Sequence, residues 1–224
     1  IKAFKGLIPL APDIHDVRTF LGLQYVPAPR TGFKGVHKLE PGSLAICRHG
    51  RVELTRYHQF DLPAPHPSSP SNAEIDAGIR ERLEQAVLMR QLAADVPVGA
   101  FLSGGVDSAA VVAYAAKHLN RPIQTFTMGF PELYLDERQE AREIAQHFGA
   151  DHQEFEAQPK HLVELLDKLV AHYDAPYADS SALPLWLLAR ETAKEIKVVL
   201  TGDVGRKVEE RASPLGASGA ASGC

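Results

Sequence analysis

VPVGAFLSGGVDS, residues Val96–Ser108, carries the strongest structural signal in this chain. Its first half is a short apolar run with the length and composition of a buried strand. A Ser-Gly-Gly turn follows at 103–105, and the alanine- and valine-rich segment from Asp107 then predicts a helix that ends near Asn120. A strand that enters a helix through such a turn leaves backbone N–H groups unpaired at the positive end of the helix dipole. The segment therefore predicts a phosphate-binding loop.

The residue types in this loop suit an anion together with a divalent cation. Gly104 and Gly105 let the backbone approach a phosphate closely, and the hydroxyls of Ser103 and Ser108 can donate to its oxygens. Asp107 would repel a phosphate unless a cation lay between them, so we predict that it binds Mg²⁺, directly or through water. The alternative is a glycine turn whose aspartate caps the helix. The complete SGGVDS string favours nucleotide binding, although the GxxxxGK[ST] loop is absent from the sequence.

The SGGVDS string and its setting resemble the pyrophosphate loop of the ATP pyrophosphatase superfamily and, within it, the glutamine-hydrolysing asparagine synthetases. That resemblance implies a loop that grips the β- and γ-phosphates of ATP, and cleavage of ATP between its α- and β-phosphates. AMP is then placed on the side-chain carboxylate of aspartate, and ammonia, free or derived from glutamine, displaces it. The chain is thus predicted to be a fragment of a ligase that forms carbon–nitrogen bonds.

The composition narrows the class of protein. Of the 224 residues, 45% are hydrophobic and 23% are charged, as in globular proteins. A net charge of −4 gives no basic field for nucleic acid, and no apolar run approaches the roughly 18 residues of a membrane span. The two cysteines lack metal-ligand spacing, and no signal peptide is recognised. We therefore expect a cytoplasmic protein with small-molecule substrates and without nucleic-acid or membrane partners; a homodimer is one option for its assembly.

Four regions follow one another in the sequence. Residues 1–60 predict a β-rich remnant, which the resemblance identifies as the C-terminal end of a glutaminase-type domain. Residues 61–72 contain four prolines and three serines and predict an extended linker. Residues 73–203 predict the N-terminal part of an ATP-binding synthetase domain. Residues 204–224, which end in alanine, serine and glycine, predict a low-complexity or aberrant tail.

Within residues 1–60, the sequence predicts a strand that begins at Ile1, a helix over 13–23 and a hairpin around 48–51. Cys47 lies in the hairpin, and we expect it to be a small core residue. The resembling glutaminase uses an N-terminal cysteine as its nucleophile, and no cysteine stands at the start of this chain. Glutamine hydrolysis by this chain is therefore not expected.

From residue 71 onward, helical and strand patterns alternate. Ser71 and Glu74 form a capping-box pattern at the start of this region. The alternation predicts an α/β fold, a Rossmann-like parallel sheet with helices on both faces, in which ligands bind at the carboxyl ends of the strands. The predicted strands lie at 96–102, 123–130, 151–156 and 197–200, and the predicted helices at 71–92, 107–120, 136–148, 161–173 and 182–194.

Three predicted strand ends carry the candidate site residues: the phosphate loop, the apolar 127–129 segment and the Thr-Gly-Asp segment at 201–203. The resemblance places Leu102 and Met128 along the adenine and ribose pocket, with core packing as the alternative for the methionine. The nucleotide-binding residues that it implies are Leu102, Ser103, Gly104, Gly105, Asp107, Ser108, Met128, Thr201 and Gly202.

Asp203 and Asp107 are the predicted catalytic residues. By resemblance, Asp203 assists formation of the aspartyl-AMP intermediate, and a later aspartate of the same family motif faces magnesium and pyrophosphate. Arg206 stands where that later aspartate is expected, so a metal site with two carboxylates cannot form there. Two alternatives stay open: a non-catalytic ATP-binding remnant, and a related ligase of the β-lactam synthetase kind with another acceptor.

Three further segments also resemble phrases of the synthetases. The loop that includes Asp179, Ser180 and Ser181 either meets polar groups of the substrate or caps the following helix. Asp136, followed by a glutamate, is predicted to cap its helix, and His152 is predicted to be structural.

Overall fold

A computed structural model describes residues 1–4, 6–59, 70–130, 136–157 and 159–202. In chain order, these residues form a short 3-10 helix at Lys2–Phe4, then α1 (Ile14–Leu23), β1 (Ser43–Arg48), β2 (Arg51–Arg56), α2 (Asn72–Leu92), β3 (Val98–Phe101), α3 (Val106–His118), β4 (Gln124–Gly129), α4 (Arg138–His147), β5 (Asp151–Glu156), α5 (Pro159–His172), α6 (Ala182–Thr192) and β6 (Val198–Leu200). None of the helices described is both long and apolar enough to cross a membrane.

The described residues divide into two compact units. Those within Ile1–Ser69 and Pro159–Leu183 belong to the first unit, and those within Pro70–Gln158 and Pro184–Cys224 belong to the second. Positions 61–69 of the predicted linker lie outside the described residues. Asp203 and the predicted tail lie outside them as well. The assignment of residues 1–60 to a glutaminase-type domain stays a prediction.

The first unit contains the predicted N-terminal helix and hairpin. The carboxylate of Asp13 accepts a hydrogen bond from the N–H of His15 (2.8 Å) and begins α1 as its N-cap. β1 and β2 pair antiparallel, with His49 and Gly50 between them at φ values of 50° and 75°. Two successive positive φ values are typical of a two-residue hairpin turn. Both the helix and the hairpin are confirmed.

Two predictions for this region are wrong. Residues 2–4 form a 3-10 turn rather than the start of a strand, because the N–H of Phe4 donates back to the carbonyl of Ile1 (2.9 Å). Gly6, at a φ of 104°, then breaks any extended backbone. Cys47 lies on β1 as predicted, but its side chain is exposed rather than buried in a core. Most other side chains of the hairpin are exposed as well.

The second unit contains a four-stranded parallel sheet with the order β5-β4-β3-β6. The chain runs outward from β3 through β4 to β5 and then returns to place β6 on the other side of β3. The strand order therefore reverses beside β3. In open α/β sheets, the carboxyl end of the strands at such a reversal is where ligands bind.

Side chains alternate between the two faces of this sheet. On β3, Ala100 packs in a cluster with residues of α2, α3 and α4, whereas Phe101 packs with Phe126 of β4 and Leu188 of α6. Helices thus cover both faces, and the predicted fold class is confirmed. Every predicted strand and helix from residue 71 to 200 is present, and each boundary lies within two residues of its predicted position.

The start of the second unit follows from local chemistry. The N–H of Glu74 donates to the hydroxyl of Ser71 (3.3 Å), and the N–H of Ser71 donates to the carboxylate of Glu74 (2.8 Å). This reciprocal pair satisfies two backbone donors that the first turn of α2 would otherwise leave unpaired. The predicted capping box is confirmed.

Candidate functional site

The predicted phosphate-binding loop forms the turn between β3 and α3. Gly105 is the N-cap of α3 and, having no side chain, provides no side-chain cap. The first intrahelical hydrogen bond is donated by Ala109 to the carbonyl of Gly105 (3.1 Å), so the N–H groups of 106–108 precede the helical ladder. Asp107 lies inside the first turn. The alternative interpretation, in which this aspartate caps the helix, is therefore wrong.

Two serine hydroxyls fix the shape of the loop. The Ser103 hydroxyl accepts a hydrogen bond from the N–H of Gly105 (3.2 Å) and lies 2.9 Å from the hydroxyl of Ser108. The Ser108 hydroxyl accepts from the N–H of Ser103 (3.2 Å) and lies 3.0 Å from the carbonyl of Gly105. Ser108 is buried, and Ser103 is half-buried. Both hydroxyls are thus engaged within the loop and hold its shape.

Gly202, which follows β6, lies directly against the start of α3. A Cβ atom added to Gly202 would lie 3.0 Å from the backbone nitrogen of Ser108 and 3.2 Å from the Cβ of Asp107. A larger residue would therefore push the two segments apart, and glycine keeps the space open. The neighbouring strands β3 and β6 bring these predicted site residues together, with Thr201 next to them in the chain. Asp203 lies outside the described residues.

The two residues predicted to line the adenine pocket lie on opposite faces of the sheet. The side chain of Leu102 is 2% exposed and belongs to the core on the α3 side, whereas Met128 is half-buried beside Phe126 on the other side. The backbone of Leu102 binds β4, since its N–H donates to the carbonyl of Phe126 (2.9 Å). The structure does not bring the two side chains together, and the packing of Met128 fits the core alternative.

A carboxylate that the sequence did not indicate as a site residue contacts the loop. Glu137 precedes α4 as its N-cap residue, and its exposed carboxylate accepts a hydrogen bond from the N–H of Gly104 (3.2 Å). Gly104 also lies so close to α4 that a Cβ atom there would be 2.8 Å from the Cβ of Glu140. The only signal in the sequence was the Asp-Glu pair at 136–137, which does not reveal a partner 33 positions away.

Arg138 anchors the start of α4 to the ends of β4 and β5. Its guanidinium lies 2.6–3.0 Å from the carboxylate of Asp136 and 3.3 Å from that of Glu156. Hydrogen bonds from the guanidinium hold the pKa of Asp136 below its ordinary value. The guanidinium also fills the space that a Cβ atom of Gly129 would need. Asp136 itself lies one residue before the N-cap, so the cap predicted there is displaced by one position.

The described part of the chain contains no group of three or more His, Cys, Asp and Glu side chains that could hold a metal ion. Asp107 is nevertheless half-buried at the loop, beside Gly202. Mg²⁺ in nucleotide sites binds one or two carboxylates, phosphate oxygens and water. The residues present therefore suit an Mg²⁺ ion that arrives with a phosphate ligand, and they do not suit a cage built from protein side chains alone.

The loop before α6 belongs to the first unit. The carboxylate of Asp179 accepts hydrogen bonds from the N–H (2.9 Å) and the hydroxyl (2.6 Å) of Ser181. The carbonyl of Asp179 accepts from the N–H of Ala182 (3.1 Å), the first residue of α6. This geometry favours the capping interpretation of the segment over direct recognition of a substrate.

Comparison with known proteins adds to this geometry. A family model described as asparagine synthase matches residues 78–207. A putative glutamine-hydrolysing asparagine synthetase of Mycobacterium tuberculosis (strain H37Rv) is 40% identical over 194 residues, which cover 85% of this chain and 29% of that protein. Asparagine synthetase 1 of Bacillus subtilis is 31% identical over 192 residues, which cover 85% of this chain and 30% of that protein.

Among solved structures, the glutamine-dependent NAD+ synthetase of Acinetobacter baumannii in complex with ADP matches with a TM-score of 0.42 and 21% identity, over 70% of this chain and 30% of that one. This chain spans less than a third of the length of the two synthetases above. The match of the family model covers more than half of the chain and includes the whole of β3, the loop at 103–108 and α3. The chain belongs to the asparagine synthase family.

Proposed function

We propose that the loop at 103–108 binds the β- and γ-phosphates of ATP together with Mg²⁺. The observation that carries this proposal is the position of the loop: a glycine turn at the reversal of strand order, with an aspartate in the first helical turn and Gly202 packed against it. Backbone N–H groups at such a helix start attract phosphate, and a carboxylate beside them calls for a cation.

The roles of the individual residues follow from this arrangement. The N–H groups of Gly104 and of the first turn of α3 bind phosphate oxygens, and Asp107 binds the Mg²⁺ that accompanies them. Ser103 and Ser108 hold the loop in shape through their mutual contact. Gly202 leaves room for the ligand beside the helix start. The assignment of Leu102, Met128, Thr201 and Asp203 to the same site is carried over from the resemblance.

For the longer protein, we propose ATP-dependent, AMP-forming amidation of the side-chain carboxylate of aspartate. A carboxylate oxygen attacks the α-phosphorus of ATP, the bond to the β-phosphate breaks, and pyrophosphate leaves. Ammonia, free or released from glutamine, then attacks the acyl carbon and displaces AMP. This chemistry needs reactants held in line and positive charge near the departing pyrophosphate, which N–H groups and Mg²⁺ supply. A cytoplasmic location, where ATP and aspartate are present, agrees with this proposal.

The second candidate function is ATP binding without turnover. Arg206 favours it, because a cation stands where the resembling synthetases have a second magnesium-binding acid. The rival ligase of the β-lactam synthetase kind would keep the same loop and change only the acceptor carboxylate.

Calorimetry with Mg-ATP tests the shared part of these proposals. We expect the chain to bind Mg-ATP, and we expect Asp107→Asn to lower the affinity at least about tenfold, because the cation loses its carboxylate ligand. Asp151→Asn, an exposed position at the amino end of β5, is the matched control and keeps the affinity of the unsubstituted chain. Folded protein that binds no Mg-ATP, or that binds it equally well after Asp107→Asn, would refute the proposal.

Release of pyrophosphate separates the two candidates. The same chain is incubated with Mg-ATP, aspartate and ammonia, and pyrophosphate and AMP are measured. Formation of both products supports the ligase, whereas binding without products supports the ATP-binding remnant. Replacement of aspartate by other carboxylic acids in this assay identifies the acceptor.

A further inference from the structure

The phosphate-binding loop already has an anionic partner from its own chain. The N–H of Gly104, which lies at the centre of the glycine turn, donates to the carboxylate of Glu137 at 3.2 Å. A carboxylate oxygen and a phosphate oxygen are both anionic acceptors, and one N–H cannot serve both with good geometry. Glu137 therefore stands where a phosphate oxygen would otherwise receive this hydrogen bond.

Packing around Glu137 keeps its carboxylate near the loop. The next residue, Arg138, is held by Asp136 and Glu156 and lies over Gly129, so the start of α4 is fixed to two strand ends. The Cβ of Glu137 lies 3.6 Å from the point where a Cβ of Gly104 would be. The loop thus lies directly against the start of α4, and the exposed carboxylate of Glu137 can leave Gly104 by rotation of its own side chain.

We propose that Glu137 competes with phosphate for the loop: its carboxylate holds Gly104 while no ligand is bound and has to leave when a phosphate group enters. This inference rests on the proposed function of the loop and adds to it an internal competitor. The negative charge of Glu137 also repels an incoming polyphosphate at short range. Binding therefore includes the free-energy cost of breaking this contact and of moving the carboxylate into solvent.

Glu137→Gln tests the proposal, because glutamine keeps the length of the side chain and removes its charge. We expect Mg-pyrophosphate and Mg-ATP to bind about three- to tenfold more tightly to this variant than to the unsubstituted chain, the range expected for an exposed charged hydrogen bond. Glu140→Gln is the matched control, since Glu140 lies on the same helix and approaches Gly104 through its Cβ. We expect it to change either affinity by less than about twofold.

A second measurement tests the contact without any ligand. The amide resonance of Gly104 is followed in ¹⁵N–¹H spectra of the ligand-free protein. Loss of a charged acceptor should move this resonance in Glu137→Gln and leave it in place in Glu140→Gln. An unchanged Gly104 resonance in Glu137→Gln overturns the proposal, because the carboxylate is then not bound there.

The outcomes distinguish this inference from the proposed function. If the unsubstituted chain binds Mg-pyrophosphate and Glu137→Gln binds it equally or more weakly, the competitor role is overturned and the phosphate-binding loop stands. If neither protein binds Mg-pyrophosphate or Mg-ATP, the loop assignment fails and the competitor role fails with it. If Glu137→Gln binds Mg-pyrophosphate more tightly than the unsubstituted chain does and Glu140→Gln does not, the result supports both the phosphate-binding loop and the competitor role of Glu137.

Discussion

The loop at 103–108 and the hairpin of β1 and β2 differ in how much of the chain supports them. The loop is contacted by Glu137 from the start of α4 and by Gly202 from the end of β6, and Ser108 within it is buried. The hairpin is held by the pairing of its own two strands, and its Val52 and Leu54 side chains are 63% and 70% exposed. A turn that other segments contact can present its backbone donors in a fixed arrangement, which a phosphate site requires.

The apolar residues of the two regions also differ in how far they are buried. Those that precede the loop on β3 are mostly buried and belong to the core of the sheet, whereas those of the hairpin cover little surface within the described residues. Hydrophobic stabilisation scales with the area that is removed from water. Substitutions of apolar residues should therefore cost much more stability on the sheet than in the hairpin.

The largest effect is expected from loss of a core side chain beside the loop. Phe126 on β4 is fully buried and packs with Phe101 of β3 and Leu188 of α6, and Phe126→Ala should lower the free energy of unfolding by about 3–5 kcal/mol. Leu54→Ala in the hairpin should change it by less than about 0.5 kcal/mol. Urea unfolding followed by far-ultraviolet circular dichroism, which reports on the backbone of both units, measures both. Equal costs for the two substitutions would contradict the contrast.

An intermediate effect is expected at the glycine that packs on the loop. Gly202→Val places side-chain atoms against the backbone of Asp107 and Ser108, so the affinity for Mg-pyrophosphate should fall more than about tenfold. Gly50→Ala in the hairpin turn is the control, because a Cβ there meets open space. It should weaken the turn, which has a φ of 75°, by about 1 kcal/mol without any change in affinity. Equal affinities of the two variants for Mg-pyrophosphate would show that the packing of Gly202 does not affect binding at the loop.

The smallest effect is expected from the pH dependence of His152 on β5. Burial lowers the pKa of His152 below its ordinary value of 6.5, the nearby Glu154 opposes this, and Arg142 adds to it. The unfolded chain therefore binds a proton more readily as the pH falls through 6.5, and the folded state loses stability at lower pH. His152→Asn should flatten this part of the curve of unfolding free energy between pH 5 and pH 7, roughly the range in which histidine titrates.

His58→Gln, an exposed residue next to β2, is the control for this measurement. It should leave the slope of that curve as it is in the unsubstituted chain. A slope that His152→Asn does not change would place the source of the pH dependence elsewhere in the molecule.

In the folded sheet, His152 Nδ1 lies 2.9 Å from the hydroxyl of Thr125, and its Nε2 is buried without a hydrogen bond in the described structure.

Much of the second unit could be predicted because its signals are local. The capping box at Ser71, the apolar run of β3 and the glycine turn each depend on residues that are close in sequence. The misplaced N-terminal strand and the exposed Cys47 show the limit of such signals, since an apolar stretch indicates a strand or a core only when other residues cover it. Leu102 shows that a position at a strand end does not reveal the direction of its side chain, which lies in the core.

From residue 71 onward, the sequence by itself determined the order of strands and helices, the glycine turn and the presence of one carboxylate at the start of α3. Only the tertiary structure decided that β6 lies beside β3, that Gly202 closes against Asp107, and that Glu137 contacts Gly104. The physical reason is range: backbone geometry and capping act over a few residues, whereas these contacts join positions that are tens of residues apart. Such contacts form only when the strands have taken their places in the sheet.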